Sequence, residues 1–309
     1  MKKRKILALI ITLGLLGLIF HKINWADMVR TFKDFDFKHL WLIVPLYVST
    51  LYIRGIRWKS LLLNDPKYSS LHLGEVFTVG SMLNSFLPAR AGDMYRAYYL
   101  GTVKGDSKMK VFGSIILERI FDGICVFFIL LAAVLLYCKQ QWILNLAYGV
   151  GALFIGSLAG FYVVYKFRHK FQKFKHALSF LEGFCALDSL KYTSIAFFTS
   201  LIIWGIECYV AYLIINSFGL GLGFAAGLFV ISLISFSTMI PSTSVFLGPY
   251  QVAYIMALGI FHIDKSSALA VSTVHQTILM LILTVIGLYC LAKFNISIKD
   301  LKQLPEENK

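Results

Sequence analysis

Six ionisable residues stand where an oily chain ordinarily has none. Arg90, Asp93 and Arg96 fall in "NSFLPARAGDMYRAYYLG" (84–101), and Glu118, Arg119 and Asp122 in "SIILERIFDG" (114–123), each stretch flanked by long apolar runs. At a helix centre in a bilayer each charge costs roughly 2.5 to 3.5 kcal/mol, so six cost about 15 kcal/mol or more. That matches the whole stability of a typical domain. The groups must therefore pair, reach water or snorkel to an interface, and three positive against three negative charges suits pairing. Ser114, Glu118 and Asp122 recur every fourth residue and share one helical face, with Arg119 turned roughly 100° away.

Two kinds of chemistry fit this set. Pro88 and Gly92 interrupt the segment, and a helix starting at Gly92 would aim its N-terminal amides into the break. With Arg90 and Arg96 these amides suit an anionic head group, phosphate above all, and Asn84 stands beside the break. The plainer reading is a salt-bridge cluster that only ties the segment to the next helix. A second break, between Pro241 and Gly248, carries no formal charge. It offers Ser242, Thr243, Ser244 and Gln251, and the following run offers Ser272, His275 and Gln276. His275 suits either a helix-packing hydrogen bond or proton handling.

These residues need elements to hold them. Hydrophobic residues make up 58% of 309 positions and charged residues 15%, the composition of an all-α polytopic membrane protein. Full spans are expected at 6–21, 40–58, 110–137, 143–165, 192–215 and 267–293. The stretches 73–100 and 222–261 are broken into arms too short to cross a core of roughly 30 Å at about 1.5 Å per residue, so both read as re-entrant helical hairpins. Counting crossings places them in opposite orientations, an inverted repeat of the kind found in transporters. The first half is 1–137 and the second 143–293, with 294–309 a cytoplasmic tail, all in one transmembrane domain.

Most of the 30 lysines and arginines then fall on the side of both termini, which is the cytoplasmic side. That count includes Arg54 and Arg57 as inner-loop charges. Trp41, Trp142 and Trp58 are expected as interfacial anchors. Phe167, Phe171, Phe174, Leu178 and Leu181 suit an amphipathic helix lying on anionic lipid. The basic, apolar N-terminus lacks a small-residue cleavage site and is expected to remain as the first span. Five scattered cysteines show no metal or redox spacing, no nucleotide or catalytic motif is present, and no metal or cofactor is expected.

Residues 84–122 resemble the lysylphosphatidylglycerol synthase transmembrane-region family of flippase-like integral membrane proteins, and "PSTSVFLGPYQ" is similar to a later family element. Asn84, Pro88, Arg90, Gly92, Asp93, Arg96, Glu118, Arg119 and Asp122 match the family pattern. Gln251 stands where the family has an acid, and His275-Gln276 where it has Tyr-Arg. The resemblance implies lipid translocation: in the multiple peptide resistance factor such a region moves aminoacylated phosphatidylglycerol between leaflets. No soluble synthase domain is expected with this chain. The expected activity is movement of an anionic or aminoacylated phospholipid, or a polyprenyl-linked lipid, between the leaflets of a bacterial inner membrane. A membrane-embedded transferase on a lipid-linked donor and an ion-coupled small-anion carrier are the alternatives. Expected partners are membrane lipids and a separate lipid-modifying enzyme, without nucleic acid.

Overall fold

The computed structural model describes Lys33 and residues 35–87, 90–103, 105–137, 141–171, 173–237 and 248–294. Described residues form ten α-helices and no strand: α1 (Leu40–Leu61), α2 (Ser70–Phe86), α3 (Ala91–Val103), α4 (Lys108–Tyr137), α5 (Gln141–Lys166), α6 (Lys175–Glu182), α7 (Leu190–Asn216), α8 (Phe224–Ser237), α9 (Pro249–Gly259) and α10 (Lys265–Lys293). Five of them, α1, α4, α5, α7 and α10, are long and apolar enough to cross a membrane, and they coincide with five of the spans expected from sequence. The span at 6–21, Pro88, Pro241 and residues 242–244 lie outside the described residues.

Local chemistry sets the helix starts. Asp264 caps α10 by accepting the amides of Ser266 and Ser267 at 2.9 and 3.0 Å, satisfying donors that have no intrahelical partner. Ser69 does the same for α2 through the amide of His72. At α9, Gly248 supplies the positive φ of 91° and Pro249 opens the helix, where its missing N–H costs nothing.

The two halves pack in matching ways. α1, α2, α3 and α4 meet one another as α7, α8, α9 and α10 do, while α2 lies against α10 and α4 against α8. The matched helices α1 and α7 are antiparallel: Asp36 reaches Ser217 through a backbone bond of 2.7 Å, and Arg57 reaches Ser200 at 3.0 Å. Each short pair forms a hairpin. Tyr68, before α2, bonds Asp106, after α3, and Phe229 near the start of α8 packs on Phe261 beyond α9. The open end of the first hairpin adjoins the C-terminal end of α10, where Lys293 bonds Glu75 of α2. The second hairpin opens beside the N-terminal end of α10, so the two point in opposite directions.

Apolar packing divides into two clusters at opposite ends of the bundle. One joins Trp58, Leu73, Val79, Leu117 and Leu291; the other joins Ile43, Leu130, Ile214, Phe229 and Tyr254. A buried polar layer runs through the first of them, where Leu117, Ile120, Phe121 and Ile124 flank Glu118 and Asp122 of α4.

Three expectations change. Trp58 is fully buried while Trp41 and Trp142 are exposed, so Trp58 is a core residue. The stretch 167–181 is not one helix: a 3₁₀ turn at Arg168–Phe171 precedes α6, and Leu181 is buried in the core while Phe174 stays exposed. Arg54 and Arg57 are buried within the bundle and are not loop charges.

Candidate functional site

The polar layer centres on one face of α4. Glu118, fully buried, takes a two-pronged bond from Arg96 of α3, at 3.2 and 2.8 Å, and an ion pair from Arg57 of α1 at 3.1 Å. One turn on, Asp122 pairs with the same Arg57 and accepts the indole N–H of Trp204 of α7 at 2.9 Å. One turn back, the Ser114 hydroxyl accepts the Trp58 indole N–H at 3.1 Å. The periodicity of Ser114, Glu118 and Asp122 thus becomes a ladder toward α1. The Arg96 guanidinium carbon lies over the Trp58 ring, 4.0 Å from its centroid, and over Phe77 at 4.8 Å, a cation–π contact with both rings.

Arg119, pointing off that face, reaches Asp93 at 3.0 and 3.3 Å and approaches Asp122 at 3.9 Å. Asn84 closes the turn of the hairpin: its carbonyl accepts the Gly92 amide at 2.8 Å and its amide donates to Asp93 at 3.1 Å. Gly92 sits inside α3, and its role is close approach. A Cβ there would lie 1.8 Å from the Gly80 carbonyl oxygen, so the arms touch backbone to backbone. The positive φ of the turn falls on Arg90 instead, at 54°. Arg90 is exposed and makes no ion pair among the described residues. Arg96 and Arg90 therefore differ: the first is committed to carboxylates, the second is presented at the hairpin turn.

Sequence reasoning missed five members of this layer. Arg57 is its most connected cation, Arg54 pairs with Glu207 of α7 at 3.2 Å, and Trp204 and Ser200 donate to or accept from it. The signal was present: Arg54 and Arg57 lie three apart inside an otherwise apolar span, and Glu207 is the lone carboxylate of another.

The second half repeats the geometry with neutral groups. Asp93 and Arg96 are the third and sixth residues of α3; Gln251 and Tyr254 are the third and sixth of α9. Glu118 and Arg119 are the eleventh and twelfth of α4, His275 and Gln276 those of α10. Where Asp93 meets Arg119, Gln251 donates to Gln276 at 2.8 Å. Where Arg96 meets Glu118, Tyr254 hydrogen-bonds His275. Gln251 also accepts the Gly248 amide at 2.8 Å, and Tyr250 packs edge-on to His275. The correspondence extends to Arg57 and Glu207, each the eighteenth residue of its helix. Among the described residues no group of His, Cys, Asp and Glu assembles that could hold a metal ion.

A helical bundle with five membrane-length helices and a buried ionic layer in its apolar interior is a multi-pass membrane protein. The chain belongs to the family described as the lysylphosphatidylglycerol synthase TM region, whose pattern matches residues 5–287. It is similar to the UPF0104 membrane protein MJ1078 of Methanocaldococcus jannaschii, with 31% identity over 206 residues that cover 63% of this chain and 87% of the relative. No solved structure matches it.

Proposed function

We propose that the chain moves a lipid between the leaflets of a cell membrane, with its head group received beside Arg90, where the α2–α3 hairpin meets the ionic layer. In this reading both short pairs are re-entrant and enter from opposite faces, with both termini cytoplasmic. At 17, 13, 14 and 11 residues, their helices extend about 26, 20, 21 and 17 Å, short of a hydrocarbon core of roughly 30 Å. Interrupted backbone at such depth is tolerated where protein or a polar cavity surrounds it, and opposed short hairpins are a transporter arrangement.

The observation that carries the proposal is the contrast between Arg90 and the layer behind it. A cation held at positive φ on the turn, with no carboxylate bound to it, is available to a phosphate. The paired groups behind it fix the turn in place. Family membership supports a lipid as cargo.

The test is reconstitution into vesicles holding acyl-chain-fluorescent phospholipid, with a membrane-impermeant quencher reporting leaflet exchange. The purified chain is expected to raise exchange above that of empty vesicles, and Arg90→Gln to lower it without loss of folded protein. Exchange equal to that of empty vesicles would refute the proposal.

A further inference from the structure

The interior charges balance before any ligand arrives. Four guanidinium groups, on Arg54, Arg57, Arg96 and Arg119, face four carboxylates, on Asp93, Glu118, Asp122 and Glu207. Each of the eight has an opposite charge within 4.0 Å. Arg90 is the residual positive charge at the hairpin turn. Beside it Arg119 remains 32% exposed along its side chain, and its Nε, shielded from solvent, has no hydrogen-bond partner. From Cys208 to Ile263 the sequence contains no Asp, Glu, Lys or Arg. The pairs of the second half, Gln251 with Gln276 and Tyr254 with His275, offer only uncharged donors and acceptors.

We infer that the lipid handled here bears one net negative charge, on a phosphate, and an uncharged hydroxyl-bearing head group, and that a cationic aminoacyl head group is selected against. The inference rests on the lipid-exchange reading above. A phosphodiester compensates Arg90 beside the partly exposed Arg119, the charge-assisted bonding that guanidinium groups favour. Uncharged hydroxyls beyond the phosphate need no counter-charge, so a layer whose ionic groups are all paired does not oppose them. An ammonium needs a carboxylate, and every carboxylate of the layer is occupied. Taking Asp93 from Arg119 would leave that guanidinium only its longer 3.9 Å approach to Asp122, giving up a close ion pair to make another. The matched positions of the second half supply no substitute.

Two measurements test this on the full chain. In the vesicle assay, acyl-chain-fluorescent phosphatidylglycerol is compared with acyl-chain-fluorescent lysylphosphatidylglycerol. In parallel the chain is purified from mixed micelles containing both unlabelled lipids in equal amount, and the lipid retained is quantified by mass spectrometry. Phosphatidylglycerol is expected to exceed the lysyl lipid about tenfold or more in both, the ratio that ~1.4 kcal/mol of differential binding gives. Gln251→Glu, which adds a carboxylate to the neutral half, is expected to narrow the ratio. Equal or greater retention of the lysyl lipid overturns the inference. Selective retention of phosphatidylglycerol without exchange of either lipid would sink the exchange reading and leave the selectivity standing. Displacement of retained phosphatidylglycerol by millimolar glycerol 3-phosphate would overturn the assignment to a lipid.

Discussion

Replacing Arg57 by methionine keeps the volume of the side chain and removes one charge from the interior. The wild-type guanidinium is fully buried and holds Glu118 at 3.1 Å, Asp122 and the Ser200 hydroxyl at 3.0 Å. With an effective dielectric near 20, one such contact at 3.1 Å corresponds to roughly 5 kcal/mol of Coulomb attraction. Removing one partner of a buried pair costs about 3 to 5 kcal/mol, because the other charge remains unmet. Arg57→Met should therefore lower thermal stability in detergent by roughly 6 to 15 °C, at about 2 to 3 °C per kcal/mol for a chain of this size. Arg57→Met with Asp122→Leu removes a charge of each sign and should recover part of the loss. A cycle of the four proteins, melted by intrinsic tryptophan fluorescence, should give a coupling of about 2 kcal/mol or more. A shift under about 2 °C for the single variant, or a double variant worse than the sum of its parts, would refute the reasoning.

Gly92→Ala would bring a methyl within 1.8 Å of the Gly80 carbonyl oxygen and 2.9 Å of the Asn84 side-chain oxygen. It should cost about 3 kcal/mol or more as the arms part, whereas Gly149→Ala, with nothing within 4 Å, should change the melting temperature little; equal effects would contradict the hairpin packing. Asp188, outside the spans, is held below its ordinary value near 3.8 by hydrogen bonds from Lys166 and Tyr165. A lowered carboxylate stabilises above its ordinary pKa and ceases to do so as pH falls through the lowered value. The deficit of Asp188→Asn, about 0 to 1 kcal/mol for so exposed a group, should be steady from pH 5 to 8 and shrink below about pH 4; a deficit that persists to pH 2 would argue against it.

Much of the architecture was legible because apolar run length and Pro/Gly interruption report directly on helices in a bilayer. The breaks near 88 and 241 fall between the two helices of each hairpin, and the fourfold spacing of Ser114, Glu118 and Asp122 predicted a single polar face. The partner of that face was not legible. Arg57 was counted with loop charges because charge near a span end normally marks topology, and one-dimensional spacing cannot reveal that α7 runs antiparallel to α1 and closes over it. Trp58 was missed for the same reason, since an aromatic near a predicted boundary ordinarily faces lipid. Gly92 was read as the interruption from which the second arm starts, but it lies inside α3 and its missing Cβ serves contact with Gly80. The matched neutral pairs of the second half became recognisable only once helix starts fixed the register.

The Arg54–Glu207 contact has a consequence for biosynthesis. Translation delivers α1 well before α7, so the earlier part of the chain enters the bilayer holding a surplus cation within its partly assembled interior. When Glu207 emerges in an otherwise oily helix, its counter-ion is already waiting. Made in the reverse order, or alone, that helix would have to bring an orphan acid into the lipid.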